Sequence, residues 1–311
     1  MIYHFLDIIG CRQLCPILAI LACIVLSCAN AGSKSKMSRK QYNALVAATD
    51  TLQAPRPGEW RFETKEAGQT VAQFISGRWH KPDSIRNTIY VQPLDTVLAN
   101  ATARLELLRQ FLRAYFMLPA KIMPVLTIHP SNIIARVNPN SNRRQLLTDD
   151  ILFHIEKKLP PSAFCCIAVT VDDLYPQPTW DFVFGQASLM RRVGVVSFAR
   201  YAQTGTAGVD SAAMAAKMLL RSCKVMAHET AHMFGLYHCI DYQCCMNGSN
   251  NLAESDAKPI HLCPVCLQKL QHSIGFSLVP RYNRLKAFYF RAGLPHQSSQ
   301  INKRLQALQD S

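Results

Sequence analysis

A long run without glycine or proline, residues 210–234, constrains this chain more than any other segment. It is rich in Ala, Leu and Met and opens with an Asp-Ser pair that can cap a helix, so it predicts one long helix. Its last turns carry His228-Glu229-Thr230-Ala231-His232. Because residues four apart share a helix face, both imidazoles can reach one metal ion.

A third histidine follows the helix at a spacing that brings it back toward the same ion. Gly235 can adopt a positive φ and let the chain turn sharply, so His238 joins His228 and His232. Three histidines and one open position are the arrangement of a catalytic zinc, and Glu229 is placed to act as its general base. The alternatives are helix histidines without a metal, and a zinc-containing binding protein without turnover.

Five of the twelve cysteines lie close behind His238. Four thiolates in two pairs can close a tetrahedral shell around a structural zinc, which predicts a second ion on Cys239, Cys244, Cys263 and Cys266. Two disulfides or unrelated buried thiols remain the alternative. Cys245 is either a spare thiol or a competing ligand. Cys165 and Cys166 are expected to be core thiols, because adjacent strand residues point to opposite faces.

Together these residues resemble a known family. Residues 228–239, followed by Cys244, Met246, Cys263 and Cys266, are similar to the archaemetzincins, zinc metallopeptidases of the metzincin clan. The resemblance extends to Asp173-Leu174-Tyr175-Pro176 and Phe182-Val183-Phe184-Gly185 and covers roughly residues 85–290. The gap between Met246 and Cys263 is about one residue shorter than in the family pattern.

The resemblance implies an α+β fold: a metzincin-like catalytic domain with a twisted mixed sheet, a long active-site helix and a zinc site made of four cysteines. It implies two zinc ions per chain, with His228, His232 and His238 binding the catalytic ion and Glu229 serving as the base. Met246 would be the methionine of the Met-turn under the zinc site. The expected activity is hydrolysis of peptide bonds in a peptide or protein substrate.

The rest of the chain predicts alternating strands and helices around this motif. Four regions are expected: a hydrophobic leader (1–31), an N-terminal extension with a turn before Trp60 (32–85), the metallopeptidase domain (86–275) and a basic helical tail (276–311). Strands are predicted at residues 87–92, 125–128, 164–171, 181–187 and 194–198, and helices at 103–117, 148–158 and 267–271. A polar loop is expected at 141–144.

The leader supports more than one cellular location. Residues 14–26 are apolar and precede Ala29-Asn30-Ala31, which fits a signal peptide, whereas the basic residues after it fit an N-terminal anchor. In a third interpretation Met37 is the working start. A cytoplasmic or nuclear location is favoured, and the alternative is secretion or membrane anchoring through residues 14–31. Glycosylation at Asn100 or Asn247 would require secretion, and a glycan on Asn247 would crowd the Met-turn.

The formal net charge of +14 leaves room for acidic partners. The C-terminal cations are expected to form a solvated face, so no nucleic-acid partner is predicted and a basic adaptor is the third hypothesis. These cations are Arg281, Arg284, Lys286, Arg291, Lys303 and Arg304.

Catalysis would need a strand beside the substrate and a donor to the oxyanion. Residues 194–198 are either an edge strand that pairs with substrate or an internal core strand. Tyr237 and Tyr242 are either oxyanion donors or packing and rim residues.

Overall fold

The structure, a computed structural model, describes residues 35–94, 102–129, 131–201 and 211–311. The leader at 14–31, the proposed Asp210 cap and the Asn100 sequon lie outside these residues. Within them, no helix combines the length and the apolar character that a membrane crossing requires.

A five-stranded sheet forms the centre of the described part of the molecule. Its strands are β1 (Thr88–Pro93), β2 (Ala120–Ile122), β5 (Ala163–Thr170), β7 (Gly185–Ala187) and β8 (Val193–Ser197). Their order in the sheet is β2-β1-β5-β8-β7. Neighbours run parallel except β7, which is antiparallel to β8, so the sheet is mixed as predicted.

Strand β5 is buried along its whole length because helices cover both faces of the sheet. Cys165, Ile167 and Val169 share one core with helices α4 (Thr102–Phe116) and α6 (Ser211–His232). Ala168 faces a second core with helix α5 (Thr148–Glu156). The apolar run in the sequence is therefore continuous because both faces of β5 are buried. The prediction that Cys165 and Cys166 are core thiols is confirmed.

Helix α6 lies across β5, β7 and β8 and ends at His232. Its final three turns are buried almost completely, which explains why a Gly-free and Pro-free apolar segment continues into the histidine motif. The predicted long helix is thus present from Ser211 to His232.

Shorter helices surround this centre. Before the sheet come α1 (Arg39–Ala47), α2 (Trp60–Glu63) and α3 (Val71–Ser76), and after α6 come α7 (Leu252–Ala257), α8 (Pro264–Ile274), α9 (Leu278–Arg291) and α10 (Pro295–Gln309). Helix α8 packs on α1 and α3, while α9 packs on α4 and α10. The segment 32–85 therefore contains three helices within the described residues and packs against the C-terminal half.

The structure also contains a second, three-stranded sheet that the sequence analysis did not predict. It consists of β3 (Ala135–Val137), β4 (Arg144–Leu147) and β6 (Asp173–Tyr175) in the order β3-β4-β6. Arg144, predicted in a loop, is the first residue of β4. The strands β3 and β4 are short and carry charged residues, so neither period nor composition marks them in the sequence.

Three predicted elements need correction. The strand expected at 125–128 is wrong, because β2 ends at Ile122 and Pro124 cannot donate a ladder hydrogen bond; Leu126 forms only an isolated bridge with Leu94. The helix α5 ends at Glu156, and its N-cap is Leu147 without a side-chain cap. In the predicted strand 181–187, only β7 at its end is regular.

The position of β8 in the sheet decides whether residues 194–198 form an edge strand or an internal strand. It pairs with β5 on one side and β7 on the other, so it is an internal strand. The sheet edge on this side is β7, which the sequence did not single out for that role.

The prediction that the C-terminal cations form a solvated face is wrong in part: Arg281 and Arg304 are only 2% and 3% exposed.

Candidate metal centres

Three imidazoles converge at the end of helix α6. The Nε2 atom of His228 lies 3.1 Å from Nε2 of His232 and 3.2 Å from Nε2 of His238. These separations are close to the roughly 3.3 Å edge of a tetrahedron with Zn–N bonds of ~2.0–2.1 Å. The three nitrogens can therefore share one ion.

The other ring nitrogen of each histidine has an acceptor that fixes the tautomer. His228 Nδ1 donates to the Cys245 carbonyl at 2.8 Å, and His232 Nδ1 donates to the Leu236 carbonyl at 2.7 Å. His238 Nδ1 donates to the Glu66 carboxylate at 2.9 Å. Because carbonyls and carboxylates only accept, the protons reside on Nδ1 and the Nε2 lone pairs face one another. This is the donor set that a zinc ion requires.

Burial keeps the imidazoles of the helix in their neutral form. It lowers the pKa of His228 well below the ordinary value and lowers the pKa of His232 to about 3. A neutral imidazole is the form that binds a metal, so the site is prepared for an ion.

Glu229 lies beside these histidines in the same buried environment. Its side chain is 6% exposed, and burial raises its pKa to about 8, although the charge of Lys258 acts in the opposite direction. Gly185 of β7 approaches the carboxylate so closely that an added Cβ would lie 2.9 Å from Glu229 Oε1. The carboxylate is therefore held between helix α6 and the sheet edge.

Gly235 makes the turn that returns His238 to the helix end. Its φ is +88°, in the left-handed region that favours glycine. An added Cβ would also lie 2.4 Å from the Trp79 ring. Both the backbone angle and the aromatic neighbour thus require glycine at this position.

An open cleft of about 770 Å³ leads to the three histidines and Glu229. One wall comes from residues 66–68 of the N-terminal extension, and the other comes from residues 176–189 around β7. Tyr237 lines this cleft with 39% of its surface exposed. Tyr242 is half-buried and packs against the core, and it is not among the residues that line the cleft.

Four cysteines form a second cluster, and it is the predicted set. The sulfur atoms of Cys239, Cys244, Cys263 and Cys266 all lie within 4.8 Å of one another. The Cys239–Cys263 separation of 3.7 Å far exceeds the ~2.05 Å of a disulfide. It matches the roughly 3.8 Å edge of a tetrahedron with Zn–S bonds of ~2.3 Å.

Local hydrogen bonds orient these thiols. The backbone N–H of Cys263 donates to Cys244 Sγ at 3.2 Å, and that of Cys266 donates to Cys263 Sγ at 3.4 Å. Hydrogen bonds from the other three thiols lower the pKa of Cys239. All eight cysteines of the described residues are free, so the disulfide alternative finds no support there.

The chain that follows the first cysteine pair is buried and held by several hydrogen bonds. Met246 is fully buried, and its carbonyl accepts a hydrogen bond from the Cys239 N–H at 2.9 Å. Cys245 lies outside the thiol cluster, with its Sγ 3.6 Å from the Lys224 carbonyl. The Asn247 side-chain amide donates to the Cys239 carbonyl at 2.7 Å. The nitrogen of this sequon that would carry a glycan is therefore already hydrogen-bonded within the fold.

Sequence reasoning missed several residues of the histidine site. Glu66 and Trp60 come from the N-terminal extension, and Trp60 packs edge-on against His238 with ring centroids 4.8 Å apart. No spacing pattern connects these residues to the motif. Gly185 could have been found from the sequence, because it is the last residue of a segment that carries the family resemblance.

Comparisons with known proteins identify the family of this chain. Peptidase family M54 matches residues 154–272. Archaemetzincin-2 of Homo sapiens is 37% identical over 257 residues, which are 74% of this chain and 71% of that protein. Archaemetzincin-1 of Homo sapiens is 33% identical over 256 residues, which are 73% of this chain and 51% of that protein.

The solved structures to which the chain is similar include two archaemetzincins. The structure from Methanopyrus kandleri has a TM-score of 0.49 and 24% identity, covering 62% of this chain and 97% of its own. The structure from Archaeoglobus fulgidus has a TM-score of 0.45 and 28% identity, covering 58% and 99%.

The chain is therefore a zinc metallopeptidase, and its substrate is a peptide or protein. It belongs to the archaemetzincins, Peptidase family M54.

Proposed function

We propose that His228, His232 and His238 hold a catalytic zinc ion and that Glu229 is the general base in peptide-bond hydrolysis. One observation carries this proposal: three Nε2 lone pairs face one another while every Nδ1 is committed to an acceptor. Three mutually facing acceptors repel one another unless a cation lies between them. When bound, zinc supplies Lewis-acid chemistry that acidifies water and polarises a carbonyl.

Glu229 performs the proton transfers in this proposal. Its carboxylate takes a proton from the attacking water and delivers it to the amine that leaves when the peptide bond breaks. Burial raises its pKa to about 8, so it can both accept and release a proton near neutral pH. The cleft leads directly to this carboxylate.

The edge strand β7 is the proposed position for the substrate backbone. It is half-buried and pairs only with β8 among the strands of the described residues, so its other edge is available for a further strand. Gly185 and Ala187 of β7 line the cleft beside Glu229. A peptide bound there would have its backbone next to the base.

The cysteine cluster is proposed to hold a second, structural zinc. Four buried thiols leave no open position for water or substrate, which is the composition of a closed site. This ion would join the loop after His238 to the start of helix α8, because Cys263 is the N-cap of that helix.

Measuring the zinc content of three proteins tests both sites. The wild type is expected to contain two ions per chain, and His228→Ala/His232→Ala should retain one. Cys263→Ala/Cys266→Ala should lose the cysteine-site ion that the histidine variant retains. A wild-type content of one or none, or two ions in the histidine variant, would contradict the two-site proposal.

A cytoplasmic or nuclear location is also proposed. The free buried thiols support a reducing compartment, and the internal hydrogen bonds of Asn247 argue against a glycan at that sequon. Determining the mature N-terminus and the location of the tagged full chain in cells tests this, and a glycosylated or secreted product would contradict it.

A further inference from the structure

We infer that Glu66 is a positioning residue for His238, and that residues 50–69 form a strap that completes the histidine site. The inference rests on the proposed function, because it assumes that His238 is a zinc ligand. It extends that proposal to a segment far outside the motif and outside residues 154–272 that match the family.

The contact between Glu66 and His238 is direct. His238 Nδ1 lies 3.0 Å from Glu66 Oε1 and 2.9 Å from Oε2, so the carboxylate accepts from this nitrogen with both oxygens. A carboxylate behind a ligating imidazole fixes the ring, sets its tautomer and strengthens the donor nitrogen. Glu66 provides each of these effects for His238.

His238 needs such support more than the other two histidines. His228 and His232 are on a buried helix, and backbone carbonyls of the nearby chain orient their rings. His238 lies beyond the helix end in an irregular segment and is half-buried. A side chain from elsewhere must therefore hold its ring, and among the described residues Glu66 is the hydrogen-bond partner of its Nδ1.

The strap is fixed to the loop that carries His238. Gln69 Nε2 donates to the Gly235 carbonyl at 3.1 Å, and the Lys269 ammonium donates to the Gln69 carbonyl. Gly68 has a φ of +68° and approaches Ile240 so closely that an added Cβ would lie 2.7 Å from its side chain. These contacts place Glu66 at the histidine.

Backbone pairing continues along the strap toward the cysteine site. The Leu52 N–H donates to the Asp241 carbonyl at 2.9 Å, and the Gln243 N–H donates to the Asp50 carbonyl at 2.8 Å. Trp60 packs edge-on against the His238 ring. The strap thus follows the loop between the two candidate metal sites, and it holds His238 through both a hydrogen bond and ring packing.

The test compares three variants of the full chain. Glu66→Ala removes the acceptor, Glu66→Gln keeps its size and an oxygen but removes the charge, and Gln69→Ala breaks strap contacts without touching His238. Competition with a chelator measures zinc affinity at the histidine site and the cysteine site separately. The visible absorption of the cobalt(II)-loaded protein reports the coordination of the histidine site.

Glu66→Ala is expected to weaken zinc at the histidine site by about 10–100-fold and to change the cobalt absorption. Glu66→Gln should recover part of that loss. Gln69→Ala should cause a smaller loss than Glu66→Ala, because Lys269 still binds the backbone carbonyl of residue 69. The cysteine site should keep its zinc in all three variants, which reports that the fold is intact.

Wild-type affinity and absorption in both Glu66 variants would overturn the inference. So would equal losses in Glu66→Ala and Gln69→Ala, because the strap would then act only as general support. Failure of the proposed function would give a different result, because the wild type itself would then bind no zinc through His228 and His232.

Discussion

Gly185 of the edge strand β7 and Glu229 of helix α6 are in contact in the lining of the cleft. A Cβ added to Gly185 would lie 2.7 Å from Glu229 Cγ and 2.8 Å from the Val195 carbonyl oxygen. Both distances are too short for a real side chain. The absence of a side chain at position 185 is what lets the proposed base and the proposed substrate strand be neighbours.

Gly185→Ala should therefore impair turnover by displacing Glu229 or by separating β7 from β8. We expect a fall in kcat/KM of at least about tenfold, on the scale of a partly lost general base. Gly194→Ala on β8 is the matched control, because the nearest neighbour of its added Cβ would be the Ala187 side chain at 3.2 Å and Glu229 is not among its three nearest neighbours. Kinetics of both variants on one peptide check this, and equal losses would contradict it.

Gly235→Ala is expected to destabilise the fold and to release zinc from the histidine site. A left-handed alanine costs about 1–2 kcal/mol, and overlap with the Trp79 ring adds to that cost. His238 follows this turn, so displacement of the turn removes one ligand. Thermal unfolding and zinc content measure the two effects, and a variant with unchanged stability and two ions would contradict this expectation.

Much of the histidine site is predictable because its information is local. An i, i+4 histidine pair and a glycine three residues later define a geometry that any helix of this composition reproduces. The two cysteine pairs and the two-sided burial of β5 are likewise visible in short windows of sequence.

The remaining features depend on contacts between distant segments. Nothing near Glu66 indicates that it reaches His238, and no property of residues 193–197 shows that β8 is internal while β7 forms the edge. Arg281 and Arg304 resemble surface cations in sequence, yet aromatic rings and hydrogen bonds hold them inside: Arg281 lies over the Tyr115 ring and Arg304 donates to Thr49.

Cys263→Ser should remove one zinc ion and destabilise the protein, whereas Cys245→Ser should keep both ions. The reason is geometric, because Cys263 belongs to the four-thiol cluster and Cys245, although adjacent to Cys244, does not. Metal analysis together with chemical denaturation separates the two variants. If Cys245→Ser lost an ion while Cys263→Ser kept two, the ligand assignment would be wrong.

Asp256→Asn should lower the free energy of unfolding, because it removes the charged partner of a buried cation. Arg221 is 2% exposed and donates to both carboxylate oxygens of Asp256, at 2.8 and 2.6 Å. Removing the negative charge leaves this guanidinium uncompensated, which costs about 3 kcal/mol, the low end for a buried pair because Asp256 is partly exposed. Asp83→Asn breaks an exposed pair with Arg86 and should have a much smaller effect.

The effect of Asp256→Asn should also depend on pH. Burial raises the pKa of Asp256, but the hydrogen bonds and charge of Arg221 outweigh this and bring it below the ordinary value of 3.8. The pair therefore stabilises the fold fully above that value and is lost as the pH falls through the lower folded pKa. Denaturation curves should show the difference between wild type and variant shrinking only in this acidic range; a difference independent of pH would contradict the assignment.

Comparing Glu229→Gln with the wild type on a mixed peptide library tests most directly whether Glu229 is the base of a zinc peptidase. The substitution keeps the size of the side chain and leaves all proposed zinc ligands in place. We predict cleavage by the wild type, a loss of at least about a hundredfold in the variant, and two zinc ions in both proteins. Equal cleavage by the two proteins, or no cleavage by a wild type that contains both ions, would contradict this assignment and favour a zinc-containing binding protein.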